Sequence, residues 1–205
     1  MRSSAASDVY KRQVYSMQIK DEIRQEIKEK RRHIENKSDL DSAVCANVIN
    51  SHIFKNADTI LCYSALRYEI LTDEIIKRAL VLDKTVALPY CTDKNGNMQF
   101  YIIKSFDDLK QGSFGISEPD TDKCKLLQSF NNAIIIVPGL CFSTDGRRLG
   151  YGKGYYDRFL QNNYLISFGL CYNTFIRNYI PVGEFDKSVD FVITEDSVIN
   201  CKADK

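Results

Sequence analysis

A chain of 205 residues with 44% hydrophobic and 27% charged content has the make-up of one globular domain, large enough to bury a core without staples. Its formal net charge of +1 gives no electrostatic footprint for nucleic acid or an anionic membrane, and no apolar run is long enough to span a bilayer. Seven cysteines are scattered without a C-x-x-C pair, and only His33 and His52 are there to join them. They read as small buried hydrophobes of a reducing compartment, not as zinc ligands or a disulfide framework.

Residues 1–16 are polar and lack the apolar centre of a secretory signal. The expectation is a disordered or spurious extension, followed by a single domain over residues 17–205. Ile19, Ile23 and Ile27 recur every fourth residue and predict an amphipathic helix over residues 17–34. Ser38, with Asp41 three residues on, predicts a capping-box start to a second helix that runs to about His52. Short apolar runs and helical stretches then alternate. Strands are expected at 59–63, 85–89 and 98–103, with a helix at 72–82 and a turn at Asn95-Gly96. Residues 112–119 have glycines and a proline but no period, and predict a loop. Residues 133–137, a β-branched run, predict a strand buried on both faces. A helix at 155–160 and strands at 165–170 and 191–194 complete the series. The fold class is therefore α/β, a mostly parallel sheet with helices on both faces.

Chemistry concentrates after the buried strand. Pro138-Gly139-Leu140 and the polar turn Ser143-Thr144-Asp145-Gly146 lead into Arg147-Arg148-Leu149-Gly150-Tyr151-Gly152-Lys153-Gly154-Tyr155-Tyr156-Asp157-Arg158. Glycines at alternate positions let backbone N–H groups approach an anion, the next helix adds its positive end, and Arg148 and Lys153 add full charges. Phosphate fits such a loop. The pattern is neither a Walker A loop, since Gly154 follows Lys153, nor a dinucleotide fingerprint, whose third glycine would replace Tyr155. Asp157 suits either a helix N-terminus or a Mg²⁺ ion beside nucleotide phosphates; Asp186 and Asp190 are candidates for a second carboxylate. Lys153 and Arg148 are both expected to serve phosphate and to be dispensable for folding.

At these residues the chain resembles the 5-formyltetrahydrofolate cyclo-ligase family, also called 5,10-methenyltetrahydrofolate synthetases. The likeness rests on Val137-Pro138-Gly139-Leu140, the Asp145-Gly146 turn, the long block from Arg148 to Leu160, and Asp186 followed by Asp190-Phe191-Val192-Ile193-Thr194-Glu195. It extends in order from about Lys20 to Val198. Phe185 departs from it, standing where relatives often carry His or Asn. The resemblance implies a fold similar to the sugar-phosphate isomerase and CoA-transferase group. It also implies ATP-binding roles for Lys20, Arg24, Arg148, Leu149, Gly150, Tyr151, Gly152, Lys153, Gly154, Tyr155 and Tyr156, with Lys153, Arg148 and Tyr155 at the chemistry.

Ser64, Glu69, Tyr151, Gly152, Lys153, Gly154 and Tyr155 would meet the folate, and Asp157 and Asp186 would hold Mg²⁺. Pro89-Tyr90, Met98-x-Phe100 and Gly112-x-x-Gly115 resemble the pterin-side and lid segments. The implied reaction is cyclisation of 5-formyltetrahydrofolate driven by Mg-ATP, in a cytoplasmic monomer whose partners are small molecules, with no nucleic acid and no membrane. Three rivals stand beside it: an ATP-independent phosphosugar isomerase, a non-catalytic folate or nucleotide binder, and a ligase for another formamide.

Overall fold

A computed structural model describes residues 3–93, 95–112 and 115–202. In chain order, α1 (Ser3–Arg32), α2 (Lys37–Asn50) and α3 (His52–Asn56) precede β1 (Thr59–Leu61). Next come α4 (Asp73–Val81), β2 (Thr85–Cys91), β3 (Met98–Ile103), β4 (Leu109–Gln111), β5 (Ser117–Pro119) and β6 (Lys125–Leu126). They are followed by β7 (Ala133–Val137), β8 (Cys141–Ser143), β9 (Arg148–Leu149) and α5 (Tyr155–Asn162). The chain closes with β10 (Ile166–Leu170), β11 (Ile176–Arg177), β12 (Phe191–Ile193) and β13 (Val198–Asn200).

The main sheet runs β13-β12-β10-β7-β1-β2-β3-β6. Its centre is parallel: Ile60 of β1 lies opposite Val86 of β2 and Ile134 of β7, and β10 joins β7 to β12 in the same sense. Antiparallel strands close both margins, β13 on β12 and then β3 and β6 beyond β2. The mostly parallel sheet expected from the sequence is the one observed. All five residues of β7 are buried, as their β-branched run requires of the middle strand. Burying side chains such as Ile135, Phe142 and Phe168 contributes about 1.5–3 kcal/mol each.

Chain direction fixes where ligands go. From β1 the chain moves through α4 to β2 on one side; from β7 it moves through α5 to β10 on the other. Right-handed crossovers then place α4 and α5 on opposite faces, and the reversal between β7 and β1 opens a crevice beyond their carboxyl ends. α2 packs on the α4 side, where Val44, Val48, Ile75 and Ile76 are buried. On α5, Phe159 meets Phe100 of β3 and Phe130 at centroid distances of 4.8 and 5.5 Å.

Four expectations need correction. α1 starts at Ser3, so residues 3–16 are helical where a disordered or spurious extension is expected; no Gly or Pro interrupts residues 3–32. Residues 1–2 lie outside the described part. Ser38 is inside α2, whose N-cap is Asn36 in the left-handed region with no side-chain cap. Asp41 is drawn instead into a pair with Lys37 and accepts the Tyr172 hydroxyl. The predicted second helix breaks at Ser51, which is extended and caps α3 by accepting from the Phe54 N–H. Finally, residues 112–119 are not wholly loop: Ser117–Pro119 pairs as β5 with β4. Residues 113 and 114 of the Gly112-x-x-Gly115 segment lie outside the described part.

Candidate active site

α1 lies across the carboxyl edge of the sheet, and its basic residues face the turns there. Lys20, Arg24, Lys28 and Arg31 recur at three- and four-residue intervals, which puts them on one side of the helix. Arg24 Nε donates to the Gly150 carbonyl (3.0 Å) and its Nη1 pairs with Asp21 (2.6 Å). Lys28 Nζ stands 5.7 Å from the centre of the Tyr151 ring. Lys20 pairs with Asp186. Buried Ile23 and Ile27, on the adjoining face, hold the helix down.

β8 and β9 form a hairpin that delivers the glycine-rich turn to α1. The Leu149 side chain is buried in the core while its carbonyl accepts from Leu140 N–H (2.7 Å), so its part in the site is to fix the start of the turn. Gly152 (φ 99) and Gly154 (φ 73) adopt left-handed backbone, costly for any residue with a Cβ. A Cβ at Gly152 would stand 3.4 Å from the Arg24 guanidinium carbon. Gly154 is the N-cap of α5 and offers no side chain to its first N–H groups, which leaves the positive end of the helix to a ligand. Met17, Lys20, Asp21, Arg24, Tyr151, Gly152 and Lys153 enclose a cavity of about 420 Å³. Lys153 is exposed and has no ion pair among the described residues.

Arg148 differs from Lys153. It is 9% exposed, pairs with Asp157 (2.8 Å), donates to the Pro138 carbonyl (3.3 Å), and faces the Tyr156 ring at 5.9 Å. It therefore braces the β7 exit against α5, contacts that argue against the expectation that it is dispensable for folding. Asp157 also accepts from the N–H of Lys187 (3.2 Å), the residue after Asp186; Asp186 accepts from the Gly183 N–H (2.8 Å). Tyr155 donates its hydroxyl to the Asp93 carbonyl (2.8 Å). The β2–β3 hairpin is thereby tied to the glycine turn. Cys91 is the exposed exception to the buried-cysteine expectation; burial pushes Cys45, Cys62 and Cys171 up to about 12, leaving them inert thiols.

The opposite wall is the loop after β1. Glu69 is buried and accepts from the Leu66 N–H (2.8 Å), with the Tyr151 phenol as an electrostatic neighbour. Burial pushes its carboxyl above the ordinary 4.5; the Leu66 N–H, the Arg31 charge and Tyr151 pull it back. Ser64 is half-buried in the same loop, and the adjoining Tyr63 turns its hydroxyl inward to donate to the Ile70 carbonyl (2.9 Å). Tyr156 is half-buried between Arg148 and Glu69, whose charge and the surrounding burial hold its phenol well above the usual value.

Lys20, Arg24 and the turn from Gly150 to Lys153 thus meet at one cavity, with Glu69 linked to it through Tyr151. Asp157 pairs with Arg148 and Asp186 with Lys20, and Asp157 also meets the backbone of Lys187, next to Asp186 in the chain. Sequence reasoning did not find Arg31, which is buried in the wall. Its signal was the spacing it shares with Lys20, Arg24 and Lys28.

The model of the 5-formyltetrahydrofolate cyclo-ligase family matches residues 16–195. A probable 5-formyltetrahydrofolate cyclo-ligase of Caenorhabditis elegans is 33% identical over 171 residues, covering 77% of this chain and 82% of that protein. A relative in Arabidopsis thaliana, described as a mitochondrial 5-formyltetrahydrofolate cyclo-ligase, is 30% identical over 185 residues, covering 78% and 67%. The solution structure of Aquifex aeolicus 5,10-methenyltetrahydrofolate synthetase superposes with a TM-score of 0.79 at 27% identity, over 91% of this chain and 95% of that one. The sequence match, the shared fold and the glycine turn under a basic helix agree: this chain belongs to the 5-formyltetrahydrofolate cyclo-ligase family.

Proposed function

We propose that the chain cyclises 5-formyltetrahydrofolate to 5,10-methenyltetrahydrofolate, consuming ATP with Mg²⁺ and releasing ADP and phosphate. In a member of this family, one observation supports the nucleotide half above the others. Lys20, Arg24, Lys153 and the bare turn at Gly152 converge on a cavity of about 420 Å³ next to an uncapped helix N-terminus. Such an arrangement suits a polyphosphate, whose charge it meets from several sides.

A formamide carbonyl is a weak electrophile and its oxygen a poor leaving group. Transfer of the γ-phosphoryl group to that oxygen answers both difficulties: ADP departs, N10 attacks the activated carbon and gives up its proton, and the C–O bond breaks to expel phosphate. Lys153, Arg24 and Lys20 would hold the transferring group and stabilise its spread charge. Glu69 and Ser64 would meet the folate, with Tyr151, Tyr155 and Tyr156 lining the junction. Holding the carbonyl beside both phosphate and N10 supplies proximity worth up to about 7–11 kcal/mol.

Asp157 and Asp186 fit a Mg²⁺ ion in kind, being carboxylates, and the Asp157–Lys187 contact brings Asp157 to the segment that carries Asp186. Among the described residues no cluster of three or more His, Cys, Asp or Glu could cage a metal. That suits an ion held by one or two carboxylates together with phosphate oxygens and water. When bound, Mg²⁺ would neutralise phosphate charge.

A monomer is supported by Lys20, Arg24 and Lys153 of one chain lining the same cavity. The cytoplasm is supported by seven free cysteines, and no helix among the described residues is long and apolar enough to cross a membrane.

The test is the near-ultraviolet absorbance of the methenyl product, followed with 5-formyltetrahydrofolate in the presence and absence of Mg-ATP. A rise that requires Mg-ATP is expected. Binding of 5-formyltetrahydrofolate without turnover would replace the enzyme with a carrier, and a preferred competing formamide would change the substrate.

A further inference from the structure

Arg31 is 3% exposed, yet among the described residues no carboxylate pairs with it. Burying an unpaired guanidinium carries a large desolvation cost. Here three carbonyls offset it: Tyr68 (2.9 Å) from the loop after β1, and Gly139 (2.7 Å) and Leu140 (2.9 Å) from the exit of β7. The rings of Phe175 and Tyr172 flank it at 5.3 and 6.0 Å. One side chain of α1 therefore joins the two turns that form the crevice at the reversal of chain direction. Tyr68, whose carbonyl it grips, is the residue before Glu69.

We infer that Arg31 is a positioning residue for the substrate-side carboxylate: it clamps the backbone next to Glu69 to the exit of β7 and places a buried positive charge behind that carboxylate. The inference rests on Glu69 as the group that meets the folate, where an ionised carboxylate accepts N–H bonds from the ring. The titratable groups around Glu69 are Arg31 on α1, Lys37 on α2, Tyr63 after β1, Tyr151 in the glycine turn and Tyr156 on α5. Burial keeps the three tyrosines neutral, so the cations are Arg31 and Lys37, and Arg31 acts on Glu69 more strongly.

The decisive comparison is wild type, Arg31→Met and Arg31→Lys, each measured for the folate KM and the ATP KM, the pH dependence of folate kcat/KM, and thermal unfolding. Arg31→Met should raise the folate KM by about 10-fold, the worth of a charged hydrogen bond, with the ATP KM nearly unchanged. It should also move the acidic limb of the folate profile to higher pH, because Glu69 loses its principal cation. Arg31→Lys should restore the limb, since the charge returns, but only part of the KM, since a point charge cannot span three carbonyls. In a Glu69→Gln background, Arg31→Met should no longer move the limb. A lower melting temperature with native folate KM and pH limb would reduce Arg31 to scaffolding and overturn the inference. Should Arg31→Met not fold, a native folate KM in Arg31→Lys overturns it equally. A wild type that neither binds nor turns over 5-formyltetrahydrofolate would instead reject the function on which this rests.

Discussion

Lys153 and Arg148 stand five residues apart in one basic, glycine-rich stretch, yet the fold gives them different work. Lys153 projects into solvent beside the cavity with no ion pair among the described residues, whereas Arg148 is buried between Asp157 and the Pro138 carbonyl. Lys153→Ala should reduce kcat/KM for ATP by about 10²-fold or more while moving stability by no more than about 0.5 kcal/mol. Arg148→Ala should lose activity and also destabilise by on the order of 3 kcal/mol, because Asp157 is left without its partner. Parallel activity assays and denaturant melts separate the two; an Arg148→Ala protein as stable as wild type would mean that the bridge is slack. The sequence shows that both residues are charged and close to glycines. It does not show burial here, because Arg148 is covered by the Pro138 carbonyl upstream and by Tyr156 and Asp157 downstream, which meet over it only once the hairpin and α5 have folded.

Elements that carry an apolar period or an unbroken apolar run are legible in the sequence, down to β1 and β12, and most of the other two- and three-residue strands are not, for a physical reason. The apolar pattern predicts β3 at its observed bounds, and β7, α4 and β10 to within two residues at either end, since each carries enough apolar positions to display a period or an unbroken run. β4, β5, β6, β8, β9, β11 and β13 have two or three residues apiece, too few to show alternation, and they exist because neighbours supply the hydrogen-bond partners. The site suffers the same limit: the glycine turn announces itself, but the pairing of Lys20 on α1 with Asp186 before β12 is invisible in the chain order.

That pairing, with Arg148–Asp157, has a consequence for binding. Lys20, one of the phosphate-facing cations, and the buried Arg148 are each paired with a carboxylate proposed for Mg²⁺, so ATP drawing on Lys20 alone would strand Asp186 and Mg²⁺ alone would strand both cations. ATP affinity measured calorimetrically should therefore rise about 10-fold or more when Mg²⁺ is added, and Asp157→Asn with Asp186→Asn should flatten that dependence. Equal ATP affinity with and without Mg²⁺ in the wild type would show that the pairs do not exchange.

For the molecule as a whole, Glu69 couples function to stability. Its carboxyl lies above 4.5 when folded, so the folded chain holds that proton more tightly than the unfolded chain does. The resulting stability is present below pH 4.5 and is lost as the pH climbs through the raised value. Glu69→Gln cannot ionise and escapes the loss. Its melting temperature should match wild type in acid and exceed it towards about pH 8, while folate affinity falls. A variant less stable than wild type at every pH would show that the carboxylate holds the Leu66 loop in a way an amide does not.

α1 has one more implication. Its polar contacts reach residues 126 and 166 positions downstream, to Gly150 and Asp186. A growing polypeptide emerging from the ribosome thus carries its basic helix long before anything exists for that helix to cover. The cavity under α1 is completed only when the segment before the last parallel strand arrives, so a nascent chain has no complete cavity there during synthesis, and docking of the first helix belongs among the late, high-contact-order events of folding.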